Sequence, residues 1–495
     1  MRLIHWAVAG FLGLAAADSN LTHGSKNILP STFKPPQHFR NTNLVRNINL
    51  EKSYPRETIN VVIENVDKQP QSEYYLPFEQ DVISRIGGLE VKDKKDAAKP
   101  AFDVEIVALD QGSETEYYKI TLPTPLANKE QLTLSITYFV LSALEPLPAQ
   151  IQQNDKQYVL HKFSAYAPSA YTTSKQKTKL KLPTTDVPDA TVLPAELNTE
   201  GKADPQKQGT TFTYGPYGEL PAGAQEEVSV RYEFTKSLTH GTLLERDIEV
   251  SHWGGNVATE ERHWLTNRAA KLKNHFSRVT FQQAQYFNPP SSALKEMRFP
   301  LAVGSVDAYF VDDIGNVSTS RFRTNEREAN LELKPRYPLY GGWNYSFKTG
   351  WNADLKTVLR AIKGQSEQFV LRVPFVEGPR QAEGVEYERV VTRVILPEGA
   401  SIIDFSTSVP LASNTTTLHR TFMDTVGRTT LNLVALNVVD EQRERDLIVT
   451  YTYPSSAKFR KPLTFAAGLM VVFALSWVIG NLDVSIGKKE KQKTV

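Results

Sequence analysis

The chain has 495 residues, of which 40% are hydrophobic and 23% charged, a length that suits more than one folded domain. Lys and Arg number 57 against 55 Asp and Glu, and this net charge of +2 points to neither a nucleic-acid partner nor an acidic substrate. Cysteine is absent, which excludes disulfides, a thiol nucleophile and thiolate metal ligands.

The N-terminus has the pattern of a secretory signal. Arg2 precedes a mostly apolar run from Leu3 to Leu14, and the alanines at 15–17 suit signal peptidase. The apolar run is too short to cross a bilayer. We therefore predict a cleaved signal peptide over residues 1–17 and translocation of the chain from Asp18 onward.

Residues 18–238 are predicted to form a first lumenal domain that is rich in β-structure. After an irregular, proline-containing lead-in, several runs alternate branched or aromatic residues with polar ones, as half-buried strands do. These runs are Leu44–Leu50, Ile59–Ile63, Val104–Leu109, Tyr117–Leu122, Leu132–Val140, Thr178–Leu182 and Val228–Phe234. Tyr158–Tyr171 is aromatic-rich, and Pro183–Thr211 is predicted to be a long surface loop because it has no hydrophobic period.

Residues 239–457 are predicted to form a second β-rich domain, which begins with a pattern similar to that at the start of the first. Three apolar residues and one arginine recur in 244–250 at the spacing they have in 44–50, a short match that by itself is weak evidence for a duplication. Glu260–Lys273 fits a helix or a strand. The other predicted strands are Tyr309–Phe322, Phe369–Val373, Val385–Leu396, Ser401–Ser406, Thr417–Phe422, Thr430–Val438 and Leu447–Tyr453. We predict a mainly β fold, with two tandem sandwich-like lumenal domains followed by one transmembrane helix.

Residues 463–482 carry no formal charge. At about 1.5 Å per helical residue, such a stretch covers the roughly 30 Å hydrocarbon core of a bilayer. A buried helix in a soluble core is the alternative, but such a helix usually keeps a polar face. We predict a transmembrane helix over 463–482, a single-pass type I orientation with the bulk of the chain in the lumen, and a cytosolic tail over 483–495.

Short motifs bear on modification and location. Four asparagines stand in Asn-x-Ser/Thr motifs on the side predicted to be translocated, and they are candidate glycosylation acceptors. They are Asn20, Asn316, Asn344 and Asn414. Asn316 is favoured because it follows a turn-like Asp-Ile-Gly. Near the C-terminus, Lys491 and Lys493 resemble a dilysine retrieval signal of the endoplasmic reticulum, although a plain stop-transfer cluster explains them equally well.

Signatures of catalysis are absent from the sequence. It contains no P-loop, no G-x-G-x-x-G fingerprint, no H-E-x-x-H helix and no D-x-D metal motif. Asp312 and Asp313 are compatible with a cation site, but a turn into Gly315 explains them more simply. His252 and His263, each beside a tryptophan, fit the aromatic-rich edge of a β-domain better than they fit a site. We predict no catalytic residue, no metal and no cofactor, and interpret the chain as a lumenal binding or scaffolding module.

A series of local motifs, ordered along nearly the whole chain, resembles the ribophorin I family. In the second predicted domain they are His252–Val257, Phe276–Arg278, Tyr309–Ser320, Pro335–Trp343, Ile395–Ala400 and Asp424–Arg428. In the first they are Asn47–Val66 and Tyr214–Leu220, and Asn481–Ile486 extends the match at the end of the predicted span.

The resemblance implies a type I subunit of the oligosaccharyltransferase complex of the endoplasmic reticulum membrane. That complex moves a preassembled glycan from dolichyl diphosphate to the asparagine of Asn-x-Ser/Thr in nascent proteins. The resemblance also implies that this subunit is not the catalyst, because transfer belongs to a separate multi-spanning subunit. It again favours Asn316 as the glycosylated residue.

The partners that the resemblance implies are the catalytic subunit, the other subunits of the complex and the membrane, with nascent polypeptide as a further candidate; no nucleic acid is expected. The short stretch after Ile486 resembles the tail of fungal members rather than the sizeable cytosolic domain of animal members, which puts ribosome docking by such a domain in doubt. The aromatic stretch Tyr158–Tyr171 is a candidate for partner contacts.

Two other classes of protein stay open on the sequence alone. One is an independent lumenal hydrolase that uses dispersed residues, and the other is a lectin-like cargo receptor. Co-purification separates the classes, because only the family interpretation requires a stable multi-subunit membrane assembly.

Overall fold

The computed structural model describes residues 27–30, 33–96, 100–109, 115–287, 289–421 and 424–482. The predicted signal peptide 1–17, the motif at Asn20, the predicted tail 483–495 and its lysines Lys491 and Lys493 lie outside the described residues.

Within the described residues, the first half of the chain forms strands β1 to β16, one short α-helix and a 3₁₀ turn at Ala195–Leu197, because alternating runs are separated by Pro, Gly and Asn turns. The strands are β1 (Asn27–Leu29), β2 (Phe39–Asn49), β3 (Arg56–Asn65), β4 (Gln71–Glu79), β5 (Ile86–Asp93), β6 (Asp103–Leu109), β7 (Thr115–Leu126), β8 (Gln131–Val140), β9 (Leu144–Pro146), β10 (Gln150–Ile151), β11 (Tyr158–Ser164), β12 (Gln176–Lys181), β13 (Asp189–Ala190), β14 (Gln206–Gln208), β15 (Thr211–Tyr217) and β16 (Glu227–Glu233). Helix α1 (Gln80–Ile83) precedes β5.

A seven-stranded sheet in the order β14-β15-β12-β2-β3-β8-β5 forms the centre of this half. Strands β2 and β12 are parallel, and the other neighbours are antiparallel. Alternate residues such as Leu44 and Ile48 are buried on one face. Two four-stranded sheets cover that face side by side: β1-β6-β7-β4 packs on it through residues such as Ile120, and β13-β16-β11-β9 through residues such as Val230. The result is a sandwich, as predicted.

The second half is built in the same way. Its strands are β17 (Thr239–Ser251), β18 (Asn256–Asn267), β19 (Lys271–Leu272), β20 (Met297–Leu301), β21 (Val306–Asp312), β22 (Gly315–Asn316), β23 (Arg321–Thr324), β24 (Ala329–Leu333), β25 (Asn344–Asp354), β26 (Leu359–Ile362), β27 (Gln365–Pro374), β28 (Glu386–Ile395), β29 (Ser401–Thr407), β30 (Ser413–His419), β31 (Arg428–Val439) and β32 (Asp446–Thr452). Its helices are α2 (Arg278–Phe287) and α3 (Leu355–Val358).

An eight-stranded sheet, β22-β21-β25-β18-β17-β28-β31-β30, forms the centre of the second half. The three-stranded sheet β20-β24-β23 and the four-stranded sheet β26-β27-β32-β29 contribute to the same hydrophobic core. Residues such as Ile248 on β17, Phe299 on β20 and Val449 on β32 meet there and are fully or almost fully buried. Aliphatic and aromatic side chains therefore stabilise this half by burial, at about 25 cal/mol per Å² of apolar surface.

The two central sheets share one topology. The order β15-β12-β2-β3-β8-β5 in the first corresponds to β31-β28-β17-β18-β25-β21 in the second, and in each only the second pair is parallel. The covering sheets correspond as well, because β13-β16-β11-β9 matches β29-β32-β27-β26. Arg46 and Arg246 occupy equivalent places, next to Thr178 and Thr392 on the parallel neighbour. This agreement supports the duplication that the short repeat suggested.

The halves meet end to end. The turn between β2 and β3 carries Tyr54, which is fully buried in a small cluster with Val439 and donates its hydroxyl proton to Asp440. The Ser53 N–H donates to the carbonyl of Glu383 at 2.7 Å. Both partners lie at the end of the second half that is opposite to its own β17–β18 turn, so the halves stack head to tail.

A close backbone approach completes the contact between the halves. A Cβ on Gly87 would lie 1.9 Å from the carbonyl oxygen of Asn437, so only glycine fits there. The amide of Asn437 donates to the carbonyls of Ser84 and Ile86 at 2.8 and 2.9 Å. These bonds satisfy the backbone carbonyl of Ser84 at the end of α1 and that of Ile86 on the edge strand β5.

Several details differ from the sequence prediction. Pro183–Thr211 is not a plain loop, because β13, β14 and the buried Asp204 lie within it, and Asp204 accepts from the Gly215 N–H at 2.7 Å. The ambiguous segment Glu260–Lys273 is mostly strand, since β18 runs to Asn267. The aromatic stretch Tyr158–Tyr171 is partly core: Tyr171 is 1% exposed and packs on Tyr74, whereas Tyr158 and Phe163 are half-buried, and partner contact by this stretch stays a prediction.

The chain ends its described part in two helices, α4 (Ser455–Lys458) and α5 (Arg460–Asn481). Within the described part of the chain, α5 is the one helix long and apolar enough to cross a bilayer, with 22 residues and a mean hydropathy of 2.1. It begins three residues before the predicted position. None of its residues is buried, unlike those of a helix in a soluble core.

Candidate functional site: the membrane junction

The first turn of α5 is joined to the second half by an ion pair. Lys461 donates to Asp424, whose side chain is inaccessible to solvent and also accepts from the Thr421 N–H at 2.8 Å. Arg428 lies 3.4 Å from the same carboxylate. Burial opposes ionisation, but the bonds from Lys461 and Thr421 hold the pKa of Asp424 well below its usual range.

A ring stack fixes the same face of the helix one turn further on. Phe465 follows Lys461 by four residues, so both side chains lie on one face. The ring of Trp253 stacks on that of Phe465, with centroids 6.3 Å apart and planes at 28°. Trp253 lies in the turn between β17 and β18, and its side chain is 69% exposed.

His252 belongs to an aromatic cluster below this turn. Its Nε2 lies 2.6 Å from the hydroxyl of Tyr451, and its ring lies 4.6 Å from that of Tyr453 and 4.8 Å from that of Phe369. Burial, with a smaller contribution from Lys458, lowers the pKa of His252 to about 4. The neutral imidazole thus connects the hairpin to β27 and β32, which leads into α4 and α5.

His263 lies in the centre of the second half, where it stacks on Phe347 at 4.7 Å. Its Nε2 is 3.2 Å from Glu261, a carboxylate that also receives Arg246 at 2.6 Å. Burial acts against ionisation, yet the bonds from His263 and Arg246 lower the pKa of Glu261 to about 2. Glu377 pairs with Arg246 at 2.8 Å. These charged groups stabilise one another inside the core.

Asp312 and Asp313 form a turn, the simpler of the two interpretations. Asp312 accepts from the N–H groups of Ile314 and Gly315 at 3.0 and 3.1 Å and pairs with Arg336. Asp313 instead accepts from the Ser346 hydroxyl. The two carboxylates therefore serve different neighbours.

The three candidate acceptors within the described residues are all exposed. Asn316 lies on β22 and Asn414 on β30, which are the two opposite edges of the eight-stranded sheet. Asn344 begins β25 and accepts from the Thr266 hydroxyl at 2.9 Å. It borders an open groove of about 410 Å³ that Trp264 and Tyr337 also line. Their exposure fits glycosylation at all three, which stays a prediction.

The sequence could have indicated only part of this junction. The apolar run and the flanking cations pointed to the helix, but Asp424 and Trp253 are distant in sequence from Lys461 and Phe465. Only the order of the strands brings them together.

The family model described as Ribophorin I matches residues 39–480, which include both halves and nearly all of α5. The chain belongs to the ribophorin I family. The family that the sequence motifs predicted is thus confirmed.

Two relatives show how far this similarity extends. The chain is 30% identical over 446 residues to the dolichyl-diphosphooligosaccharide–protein glycosyltransferase subunit 1 of Schizosaccharomyces pombe, covering 90% of this chain and 95% of that one. It is also 30% identical over 424 residues to the subunit 1 of Caenorhabditis elegans, covering 86% of this chain and 69% of that one. Among solved structures, native leukotriene A4 hydrolase from Saccharomyces cerevisiae aligns with 41% of this chain and 30% of its own, at 13% identity and a TM-score of 0.28.

Proposed function

We propose that this member of the ribophorin I family is an accessory subunit of the oligosaccharyltransferase complex of the endoplasmic reticulum membrane, and acts in protein N-glycosylation. The observation that carries the proposal is the family match over residues 39–480. The names of its relatives agree, since each is subunit 1 of a dolichyl-diphosphooligosaccharide–protein glycosyltransferase.

The role that the fold supports is that of a scaffold. Two β-sandwich halves are joined by buried contacts at Tyr54 and Gly87, and the second half is fixed to α5 at Lys461 and Phe465. A body held in this way keeps its surfaces at fixed positions relative to the membrane. Such a body suits the positioning of partner subunits and of acceptor polypeptide near the membrane surface.

Glycan transfer itself takes place, in this proposal, on a separate multi-spanning subunit. The titratable residues that drew attention in the sequence have structural partners. Asp312 closes a turn, His252 binds Tyr451, and His263 belongs to the buried Arg246 network. Each of these groups is accounted for by folding.

The orientation proposed is type I, with both halves in the lumen. An exposed asparagine at an edge strand, Asn316, provides the test. In microsomes, Asn316→Gln should remove one endoglycosidase-sensitive gel shift, and the folded body should resist added protease until detergent is present. Asn330→Gln, which lies outside any acceptor motif, is the control and should leave the pattern unchanged. Digestion of the folded body in the absence of detergent would show that it faces the cytosol and would contradict the type I orientation.

The decisive experiment is purification of the full chain in mild detergent, followed by identification of the proteins that accompany it. A stable assembly with a multi-spanning subunit is expected, and it should transfer glycan to an Asn-x-Thr peptide. Depletion of the chain should lower glycosylation of many substrates. A chain that purifies alone, or that transfers glycan by itself, would contradict the proposal.

A further inference from the structure

We propose that the turn between β17 and β18, residues 252–255, rests in the headgroup region of the bilayer that α5 crosses, with Trp253 as its contact with lipid. The proposal requires α5 to be a membrane span. It goes beyond assembly with other subunits because it assigns a lipid-binding surface to the folded body itself.

The depth of Trp253 follows from the helix that it touches. Lys461 marks the level of the headgroups, since a lysine so near the apolar run keeps its charge out of the hydrocarbon. Phe465 lies four residues further, or about 6 Å along the axis, and about 3 Å beyond Leu463, where the apolar run begins. Because the rings of Trp253 and Phe465 stack at 6.3 Å, the indole lies near the boundary of the hydrocarbon.

The chemistry of the turn suits that level. Tryptophan is enriched at membrane interfaces because its ring is apolar and its N–H is polar. The Trp253 ring is 69% exposed within the chain and Phe459, at the start of α5, is 63% exposed. Two large aromatic residues so exposed beside a span are contacts for lipid rather than for water.

Basic residues stand next to the same turn. Helix α3 is fixed to it, since the Leu355 N–H donates to the Gly255 carbonyl at 3.0 Å. This helix and the strand after it carry Lys356 and Arg360, both exposed. Cations within reach of phosphate groups add an electrostatic attraction to the insertion of Trp253.

The turn is held at this position from two sides. Strands β17 and β18 are 13 and 12 residues long and belong to the centre of the eight-stranded sheet. At the helix, the Lys461–Asp424 pair and the close approach of Gly399 to Ala457, where an added Cβ would lie 2.9 Å from that of Ala457, fix the start of α5. The span and the turn therefore enter the interface together.

The absence of cysteine from the chain allows a direct test with single spin labels. The full chain is reconstituted in phosphatidylcholine vesicles with a nitroxide on Trp253→Cys, Val192→Cys or Phe473→Cys. Val192 is 67% exposed in the first half, away from the junction, and Phe473 is 71% exposed in the middle of α5. Lys356→Cys provides a second label beside the turn and leaves Trp253 in place.

Collisions with oxygen and with a water-soluble nickel complex report the depth of each label. We expect the nickel complex to reach the label at 253 several-fold less often than the label at 192, and oxygen to reach it less often than the label at 473. The label at 356 should lie at headgroup level.

Nickel accessibility at 253 equal to that at 192, with 473 still shielded, would refute the proposal and leave the assignment of the span intact. If water reaches the label at 473, α5 does not span the membrane, and the proposal is refuted together with that assignment. If the variant at 253 does not fold, the label at 356 decides: a fully aqueous position there refutes the proposal.

Discussion

Each half of the molecule buries one arginine against glutamate at an equivalent place. Arg46 makes two bonds to Glu57, at 2.8 and 3.0 Å, and Arg246 lies between Glu261 and Glu377. A buried ion pair is costly to break, because removal of one partner leaves a charge without compensation.

Replacement of Arg246 should therefore strongly destabilise the second half. Arg246→Met leaves Glu261 and Glu377 together in the core, and we expect a loss of about 3–5 kcal/mol in the free energy of unfolding. Denaturant unfolding of the detergent-solubilised chain measures it. Arg298→Met, which breaks an exposed pair with Glu296, is the matched control and should cost less than about 1 kcal/mol. Equal midpoints for the two variants would show that the buried pair is not essential.

His161 should make the first half sensitive to acid. Burial lowers its pKa to about 4, below the value of about 6.5 in the unfolded chain. The unfolded state thus binds the proton first, so stability is complete above pH 6.5 and falls by up to about 3 kcal/mol as the pH drops to 4.

The test compares unfolding midpoints at pH 7 and pH 4.5. His161→Gln should weaken this dependence, since the amide takes no proton in that range, and the remainder belongs to groups such as His252, whose pKa burial also lowers to about 4. His275→Gln, at an exposed histidine, should leave the dependence as it is. A wild-type chain with the same midpoint at both pH values would contradict the expectation.

Secondary-structure elements could be predicted from the sequence where their hydrophobic pattern is regular. Alternation predicted β2, β3 and β17 because their buried and half-buried residues do alternate. Strand β25 was missed, since Asn344–Asp354 mixes Gly, Asn and Lys with its aromatics, and α2 was missed because its pattern is short. The contacts at the junction could not be predicted, because partners such as Trp253 and Phe465 lie in distant segments.

The junction itself should loosen when its ion pair is removed. Asp424→Asn takes the charge from a buried acceptor of Lys461, and we expect faster tryptic cleavage after Lys458 and Arg460 in reconstituted protein. The measured quantity is the half-life of the intact chain. Asp404→Asn, an exposed aspartate on β29, should cleave at the wild-type rate. Equal half-lives for both variants would show that the pair does not restrain α5.

The two halves form one body because their contact is packed as tightly as a core. Gly87 meets the Asn437 carbonyl, and Tyr54 fills a pocket with Phe139, Leu141 and Val439. The length and the repeat pointed to two units, and their boundary near residue 238 stays a prediction. No pattern indicated that the units would stack, since that depends on turns and edges rather than on alternation.

One added methyl group should disturb this contact. In Gly87→Ala the new Cβ would lie 1.9 Å from a carbonyl oxygen, and we expect a loss of about 1–3 kcal/mol together with separation of the unfolding transitions of the two halves. Scanning calorimetry measures both effects. Gly218→Ala, where the nearest atom would be 3.5 Å away, should behave like the wild type. A single unshifted transition in the Gly87 variant would argue against a tight contact.

The equivalent hairpin turn has a different partner in each half. The β17–β18 turn of the second half contacts lipid, and the β2–β3 turn of the first half contacts the second half. The two ends of the stacked molecule are therefore not equivalent. The end of the second half faces the bilayer, and the opposite end, which belongs to the first half, points away from it. The long strands of each half extend on the order of 35–40 Å, so the two stacked halves measure up to roughly 75 Å along their strands. The duplication thus lengthens the molecule, and a polypeptide that binds at the distal end of the first half is held at a fixed distance from the membrane.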